Sequence, residues 1–434
     1  MTGLSSYGVL AEDPTAEAII CWVDDREGAD GSEQALEYDD GSESATGEEV
    51  PESDGAYKYE VEITGLNPDT EYSGTIDGEK TIQWRTLPDS LDDDELTVVV
   101  MSDIHVYAGD YVDTLEGDVL EEPEDIQPMA DEDPDIVLVA GDFISNADDV
   151  ESDRTEDWLR FLDEMVDDVL NEDRIRPILA APGNHDVGNH SFDGTGNVDP
   201  ETGYFQFLFS NPKNLEPVGE NYGEITVGDY LQLLALDTHS AFPEDVGEWL
   251  EGAIDETVNH VIPFHHSPFM GGGERQSADL DLQERLRNEW GAHFYEAENI
   301  YTQFSGHVHV HSQSVPWAIL DEEPGRPSKE VETDGGTKYL AGAQGNQLPQ
   351  SVTEFGQGYP SHRSLRDGWW LEFTEENNQF YSVSVGEESM TVSQLDEEGG
   401  EYDSHSFPLE EGETYGSSGA IMRVWQDGGW VPPV

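Results

Sequence analysis

Five short polar clusters contain most of the residues in this chain that could do chemistry. Each cluster offers carboxylate, imidazole or amide side chains, and each follows a short apolar run. The clusters are Asp103-Ile-His105, Gly141-Asp142, Gly183-Asn184-His185-Asp186, His265-His266 and Gly306-His307-Val-His309. Oxygen and imidazole donors without a thiolate favour Mn, Fe, Zn, Co or Ni, and the histidines are too many for a calcium or magnesium cage. The clusters therefore predict a centre for divalent transition metals.

The apolar runs before the clusters have the length and the β-branched, aliphatic and aromatic content of buried strands. They cover residues 96–101, 136–140, 178–181, 260–264 and 301–304. In layered α/β folds, ligand sites form beyond the carboxyl ends of the strands, where loops from distant parts of the sequence meet. Residues two apart on an extended chain point to the same side, so the DxH and HxH pairs can each aim both side chains at one centre. Glycine at positions 141, 183 and 306 would let the backbone turn sharply and come close to the ions.

The order of these clusters resembles the calcineurin-like metallophosphoesterases, whose pattern is DxH, GD, GNH followed by D or E, a lone H, and GHxH. All five blocks occur here in that order, over roughly residues 94–386. Five ordered blocks are far more specific than any one of them. The resemblance implies a four-layer α/β (α+β) sandwich, in which two mixed β-sheets are flanked by helices. It also implies a hydrolase that acts on phosphoester bonds.

Carried over to this sequence, the resemblance implies two metal ions that share one carboxylate. One ion would be held by Asp103, His105, Asp142 and His309, and the other by Asp142, Asn184, His265 and His307. For the fourth block we choose His265, which directly ends its strand, and keep His266 as the alternative. The cofactors implied are two divalent transition-metal ions, chosen among Mn, Fe, Zn, Co and Ni.

The resemblance also implies the reaction. A hydroxide that bridges the two ions would attack phosphorus, so no amino-acid nucleophile is required. His185 resembles the histidine of the family that protonates the leaving alkoxide or steadies the transition state. Asp186 would orient His185 and favour its charged form. His185 and Asp186 are therefore the predicted catalytic residues, and a small phosphoester is the predicted substrate.

Several phrases between and after the later blocks resemble the catalytic domain of purple acid phosphatases. These phrases are GEWLEGAI, VIPFHHSPF, YTQFSGHVH and GGTKYLAGAQGN. Two departures matter, because the first block is DxH where those enzymes have DxG, and Ser145 stands where they have the tyrosine that ligates ferric iron. We expect a similar architecture without an obligatory ferric site or a purple colour.

The chain before the first block predicts a small all-β sandwich domain. Short alternating runs at residues 18–22, 57–63 and 81–86 lie between turn residues. The phrase ITGLNPDTEY, which ends at Tyr72, resembles the late-strand corner of fibronectin type III domains, where the leucine fills the core and the tyrosine anchors the corner. We expect this domain to serve for docking or as a spacer, because the fold is often only a scaffold.

The predicted domains are a fibronectin type III-like sandwich over residues 1–90, the catalytic domain over residues 91–386, and an acidic C-terminal β extension over residues 387–434. Runs at residues 369–373 and 380–385 should be closing strands of the catalytic sandwich. Cys21 lies in a predicted strand, and we expect its side chain to be buried and to pack like a small hydrophobic residue.

The chain has 97 acidic and 18 basic residues and a formal net charge of −79. Aromatic residues make up 10% of it, which separates it from acidic disordered chains. At 1 M salt the Debye length is about 3 Å, so a saline interior would screen the self-repulsion. The composition indicates a cytoplasmic protein of a halophile. It argues against nucleic-acid partners, because phosphate backbones are bound through Lys and Arg.

No stretch has the length and apolar character of a membrane span, and the start shows no signal-peptide pattern, so no membrane partner is expected. The oligomeric state stays open. Two other functions remain besides the small-phosphoester hydrolase: a cyclic-nucleotide or other phosphodiesterase, and a non-catalytic binding protein with a structural metal centre. The complete ligand set and His185 count against the binding protein. His190, His239 and His362 lie near the blocks but outside any pattern, and we expect ordinary surface or hydrogen-bonded histidines.

Overall fold

Two large β-sheets packed face to face, with helices on both outer faces, form the architecture. The structure, a computed structural model, describes residues 3–39, 41–51, 53–91, 94–106, 126–144, 154–186, 204–209, 222–269, 280–307, 311–314, 353–356, 371–375, 379–396, 399–407, 424–426 and 429–431. Within these residues the strands form a ten-stranded, a seven-stranded and a four-stranded sheet and a two-stranded hairpin. The predicted four-layer sandwich preceded by a strand-rich region is confirmed.

At the centre of the ten-stranded sheet, strands β9 (Leu96–Met101), β10 (Ile136–Ala140) and β11 (Pro177–Ala181) run parallel to one another. In spatial order its strands are β21 (Glu401–Phe407), β20 (Met390–Asp396), β19 (Gln379–Val385), β9 (Leu96–Met101), β10 (Ile136–Ala140), β11 (Pro177–Ala181), β1 (Leu4–Val9), β2 (Glu17–Asp24), β6 (Tyr57–Thr64) and β5 (Glu48–Glu49). The central strands are near-continuous Val, Ile, Leu and Ala, as expected of parallel strands covered on both faces.

The seven-stranded sheet also has a parallel centre, formed by β13 (Leu231–Leu236), β14 (His260–His265), β15 (Thr302–Ser305) and β17 (Thr353–Gly356). Its strands in spatial order are β12 (Gly223–Val227), β13 (Leu231–Leu236), β14 (His260–His265), β15 (Thr302–Ser305), β17 (Thr353–Gly356), β16 (His311–Ser314) and β18 (Leu371–Glu375). All five strands predicted before the polar clusters are present. Strands β9 and β10 have the predicted bounds, and β11, β14 and β15 differ by one residue at one or both ends.

Three hydrophobic cores hold the four layers together. Between the sheets, Leu138 and Leu179 of one pack with Leu233 and Phe264 of the other. One outer layer comprises α1 (Gln127–Asp131), α2 (Arg154–Arg160), a π-helix (Phe161–Leu170) and α3 (Tyr204–Leu208), and the other comprises α4 (Pro243–Ala253), α5 (Leu280–Glu289) and α6 (Gly291–Glu296). Among the described residues, no helix combines the length and the apolar character needed to cross a membrane.

The N-terminal strands form the predicted β-sandwich, but one of its two layers is the end of the ten-stranded sheet. The other layer is the four-stranded sheet of β4 (Gly41–Ala45), β3 (Gln34–Tyr38), β7 (Glu71–Ile76) and β8 (Lys80–Arg85). Strand β1 pairs in parallel with β11 through Gly8 and Val9. The expected boundary near residue 90 is therefore not a boundary between sheets. At the predicted corner, the Tyr72 hydroxyl accepts a hydrogen bond of 2.8 Å from the backbone N–H of Asn67.

The C-terminal strands complete both large sheets. Strand β19 pairs antiparallel with β9, and β18 lies at the edge of the seven-stranded sheet. Strands β20 and β21 continue the ten-stranded sheet, and β22 (Val424–Gln426) pairs with β23 (Gly429–Val431). The residues after 386 thus include strands.

Candidate metal centre

The loops that follow β9 and β10 are joined through their backbones. The N–H of Asp103 donates to the carbonyl oxygen of Gly141 (3.0 Å), and the N–H of His105 donates to that of Asp142 (3.1 Å). The Asp103 carboxylate in turn accepts the N–H of His307, at 3.0 Å and 2.9 Å from its two oxygens. Blocks one, two and five of the sequence pattern therefore meet at one point.

Four of the predicted site residues have a left-handed backbone. The φ angles are 56° at Asp103, 52° at His105, 56° at Asp142 and 72° at His307. Side chains other than glycine rarely adopt this region, and such strain clusters at functional sites, where the surrounding structure enforces it. The packing of these loops thus fixes side-chain directions that the local sequence would not choose.

The three glycines of the blocks are needed for close backbone approach. Gly141 has φ of +85°, and a Cβ there would lie 2.6 Å from both Nδ1 of His266 and the backbone nitrogen of Gly183. A Cβ on Gly183 would overlap the carboxylate of Asp142, and one on Gly306 would overlap Oγ of Ser102. The predicted use of glycine at these positions is what the loops require.

Asp142 lies at the centre of the site and is 1% exposed. Its Oδ1 accepts the backbone N–H of His185 at 2.8 Å. Its Oδ2 is buried and accepts no hydrogen bond from the residues that the structure describes. Three imidazole nitrogens face this oxygen: Nε2 of His266 at 3.1 Å, Nε2 of His105 at 3.7 Å and Nε2 of His185 at 3.9 Å. A buried carboxylate oxygen left in this way suits a bound cation.

A second set of donors lies around the side-chain oxygen of Asn184. Nε2 of His266 is 3.1 Å from this oxygen, and Nδ1 of His307 is 2.9 Å from it. The other ring nitrogen of His266, Nδ1, lies 2.7 Å from the carbonyl oxygen of Ala140. A carbonyl oxygen can only accept, so Nδ1 must be the donor of this hydrogen bond. In the neutral ring that a metal ligand requires, this hydrogen bond sets the tautomer, so that the lone pair of Nε2 lies on the side of Asp142 and Asn184.

His265, our sequence-based choice for the fourth block, lies outside this group. Its Nδ1 is 2.8 Å from the carbonyl oxygen of Ser267, and its Nε2 is 3.3 Å from Oε1 of Gln303. Its ring stacks on Phe269 and meets Trp290 edge-on in the core under α4, α5 and α6. Burial lowers the pKa of His265 to about 4, as expected of a neutral core histidine. His266 takes the place that we had assigned to His265.

Asp186 has a different task from the expected one. Its Oδ2 accepts the backbone N–H groups of Asp142 and Gly183, both at 2.8 Å, and its Oδ1 accepts that of Phe143 at 2.9 Å. Both carboxylate oxygens are thus engaged with the backbone of blocks two and three. Asp186 holds these loops together, and the expected orientation of the His185 ring by this carboxylate is not what the hydrogen bonds show.

His185 stands at the exposed side of the cluster. Its side chain is 21% exposed, and its ring packs edge-on against that of His105 with the centroids 4.7 Å apart. His309 and Ser145 lie outside the described residues, as do His190 and His362.

His239 belongs to the cluster, although we had expected an ordinary histidine there. Its ring centroid lies 5.2 Å from that of His266 and 5.7 Å from that of His307. The sequence carried a signal for it, since the apolar run of β13 is followed by Asp237, Thr238 and His239. A sixth strand end therefore contributes to the site.

Charge crowding shifts the pKa values of the buried groups in opposite directions. Burial, with the charge of Asp142, raises the pKa of Asp103 to about 7, and burial, with the charge of His185, lowers the pKa of His105 to about 3. Burial also lowers the pKa of His266, but the charge of Asp142 outweighs it and raises that pKa to about 9. The site thus holds negative charge that a proton on His266 balances and that a metal cation could balance instead.

The donor atoms are close enough to share ions. In each of three groups, one donor atom per residue lies within 4.8 Å of the others, and the groups are His105, Asp142 and His185; Asp103, Asp142 and His266; and His239, His266 and His307. Ligand bonds of about 2.0–2.2 Å place two donors of one ion no more than about 4.4 Å apart. The three imidazole nitrogens that lie 3.1, 3.7 and 3.9 Å from Oδ2 of Asp142 are within that limit. The unsatisfied oxygen of Asp142 and this spacing together fit divalent metal ions.

Comparisons with known proteins agree with this geometry. The family model of the calcineurin-like phosphoesterases matches residues 96–311. Among solved structures, the chain is similar to the purple acid phosphatase PPD1 from yellow lupin (Lupinus luteus) seeds, with 17% identity, a TM-score of 0.68, and coverage of 93% of this chain and 74% of that one. It is also similar to PhoD, with 13% identity, a TM-score of 0.60, and coverage of 93% and 89%. No curated protein sequence matches significantly.

At sequence identities of 17% and 13%, the similarity to the solved structures shows a common fold. The family model, in contrast, matches the part of the sequence that contains the polar clusters. It extends over strands β9 to β15 and every described block of the site. Residues 96–311 are therefore a calcineurin-like metallophosphoesterase domain, and the protein is a hydrolase that acts on phosphoester bonds.

Proposed function

We propose that the protein hydrolyses small phosphoesters at a dinuclear metal centre. The observation that carries the proposal is the buried Oδ2 of Asp142, which accepts no hydrogen bond within the described chain and faces three imidazole nitrogens. One ion would be held by Asp103, His105, Asp142 and His309, and the other by Asp142, Asn184, His266 and His307. Asp142 is the shared ligand.

When bound, two divalent ions would supply the Lewis acidity that activates a water molecule and offsets charge on the phosphoryl oxygens. The chain's own contribution is to fix the donors in advance. The N–H of His185 holds the Asp142 carboxylate, and the carbonyl of Ala140 holds the ring of His266. Asp186 ties both loops together beneath them.

His185 is our candidate for the group that protonates the leaving oxygen. Its Nε2 lies 3.9 Å from Oδ2 of Asp142, next to the proposed position of the ions. From there a protonated ring would give its proton to the leaving alkoxide as the phosphorus–oxygen bond breaks. Partial exposure of the ring allows substrate to reach it.

The charge of the chain restricts the substrate. With a net charge of −79, the surface would repel a long polyanion, and 18 basic residues in the whole sequence offer few contacts to a phosphate backbone. A small phosphoester could still bind, because metal ions would be the dominant local charges in the site.

The test is hydrolysis of para-nitrophenyl phosphate and of its bis-ester in molar KCl with Mn²⁺, for wild type and for Asp142→Asn. We expect metal-dependent turnover that the substitution reduces by about 100- to 1000-fold, in the range of a group that stabilises transition-state charge. Asp24→Asn is a matched control, because Asp24 is also a buried carboxylate but binds Arg26. Equal turnover in Asp142→Asn and wild type would refute the proposal. The ratio of monoester to diester rates would identify the preferred ester.

A further inference from the structure

His239 is held inside the metal centre from both sides. Its backbone N–H donates to Oδ1 of Asp237 at 2.8 Å, so the turn after β13 is closed by that carboxylate. Its Nε2 lies 3.0 Å from Oγ of Ser267, and the N–H of Ser267 donates to Oγ1 of Thr238 at 3.1 Å. The turn after β13 and the loop after β14 thus fix the ring together.

The ring so fixed completes a group of three imidazoles. Ring nitrogens of His239, His266 and His307 lie within 4.8 Å of one another. The ring centroids are 5.2 Å, 5.7 Å and 5.0 Å apart in the three pairs. Three imidazoles that bring one ring nitrogen each to a common point have the arrangement of ligands to one ion.

We propose that His239 is a further ligand of the ion on the Asn184 side, which would then be bound by three imidazoles. This inference rests on the proposed dinuclear function and adds a residue and a metal preference to it. Imidazole donors suit Zn²⁺, Ni²⁺ and Co²⁺, whereas carboxylate and carbonyl donors suit Mn²⁺ and Mg²⁺. A third imidazole therefore shifts this position toward zinc-like ions and away from Mn²⁺.

The first experiment counts histidine ligands directly. Each histidine bound to Co²⁺ gives an exchangeable ring N–H proton signal that is strongly shifted by the unpaired electrons and vanishes in D₂O. We expect the cobalt-loaded His239→Phe protein to lose one such signal relative to wild type. His293→Phe is the matched control, since His293 lies in α6, outside the three donor groups, and should keep every signal.

The second experiment measures affinity for the metals themselves by competition with a chelator in molar KCl. We expect His239→Phe to weaken Zn²⁺ binding at least about tenfold and Mn²⁺ binding less than threefold. Ser267→Ala separates a ligand from a support, because it removes the hydrogen bond to the ring and keeps both ring nitrogens. A ligand role predicts a smaller zinc effect in Ser267→Ala than in His239→Phe.

Far-UV circular dichroism checks that each variant is folded, and His239→Asn replaces His239→Phe if the larger side chain is not tolerated. An unchanged number of shifted signals and an unchanged ratio of zinc to manganese affinity would overturn the ligand role. The dinuclear function would then survive if Asp142→Asn still abolishes turnover. A wild-type chain that binds no cobalt would overturn both proposals.

Discussion

Two adjacent, fully buried histidines give the sharpest test of the site. His265 and His266 are both 0% exposed, and phenylalanine can replace either ring in shape while removing its nitrogens. Nε2 of His266 lies 3.1 Å from both Oδ2 of Asp142 and Oδ1 of Asn184, so it is the link between the two oxygen donors. We expect His266→Phe to lose one of two ions, with a loss of affinity of at least about 100-fold, or about 2.8 kcal/mol.

His265→Phe should behave in the opposite way. Its ring would keep the stacking on Phe269 and the edge contact with Trp290. The substitution would remove the hydrogen bonds that the His265 ring makes with the carbonyl oxygen of Ser267 and with Oε1 of Gln303. Each buried group left without a partner costs about 1–3 kcal/mol. We expect full metal content and a lower free energy of unfolding, by about 2–6 kcal/mol for the two groups.

The assay is elemental analysis of metal after gel filtration, together with urea unfolding in the presence of a chelator. The two variants carry the same substitution at neighbouring positions, so each is the control for the other. If His265→Phe loses an ion while His266→Phe keeps both, the assignment of ligand and core histidine is reversed and our reasoning from the hydrogen bonds fails.

Further predictions concern the glycines, the support of α3, alkaline pH and salt. Gly306→Ala should abolish metal binding, because the added Cβ would overlap Oγ of Ser102. Gly78→Ala is the control: φ is +71° and nothing lies within 4 Å, so the substitution should lower only stability, by about 1 kcal/mol. Elemental analysis should find metal in Gly78→Ala and none in Gly306→Ala. Lys58→Met should reduce the free energy of unfolding by about 1–3 kcal/mol, because it removes the hydrogen bond from the ammonium of Lys58 to the carbonyl oxygen of Phe207 in α3, and unchanged stability would contradict this contribution. Burial raises the pKa of the Cys21 thiol from 9.0 to about 12, so the unfolded chain releases this proton first and stability falls as pH rises above 9. From pH 8 to 10, wild type should lose about 1.4 kcal/mol more than Cys21→Ala, and equal losses would show that the thiol is not buried as described. The thermal unfolding temperature should rise with KCl up to molar concentration because salt screens the charge of −79, and a flat response would remove the argument for a halophile.

The strands and the blocks were predictable because their signals are local. An apolar run that ends in a turn with glycine and ligand side chains can be found within ten residues of sequence, and every such run was located to within a residue. The choice between His265 and His266 also had a signal. Ile262 and Phe264 face the space between the two sheets, and His266 shares their parity, whereas His265 shares that of Val261, which faces the helices. Alternation along β14 therefore points to His266 as the side chain on the site's face of the sheet.

The role of Asp186 could not be derived from the sequence. Its partners are the backbone N–H groups of Asp142 and Phe143, more than 40 positions away, and only the folded loops bring them to it. A carboxylate next to a histidine in the sequence suggests a pair, but side chains of neighbouring residues point in different directions. The left-handed backbone at Asp142 turns its N–H toward Asp186 and is itself a product of that packing.

Strand β2 shows that an unbroken apolar run predicts a strand buried on both faces. In β2, Ile19 and Cys21 face the core under the π-helix, while Ile20 and Trp22 face the four-stranded sheet. A strand of a free-standing sandwich has one solvated face, so an unbroken apolar run indicates cover on both faces. That cover is what joins these strands to the catalytic sheet.

The same strands also hold α3 in place. The ammonium of Lys58 in β6 donates to the carbonyl oxygen of Phe207 at 2.6 Å, and the hydroxyl of Tyr7 in β1 donates to that of Leu208 at 2.7 Å. Because the last carbonyls of a helix have no partner within it, these two side chains satisfy groups that would otherwise be unpaired. Together with the pairing of β1 and β11, these contacts make the N-terminal strands part of the packing of the catalytic domain.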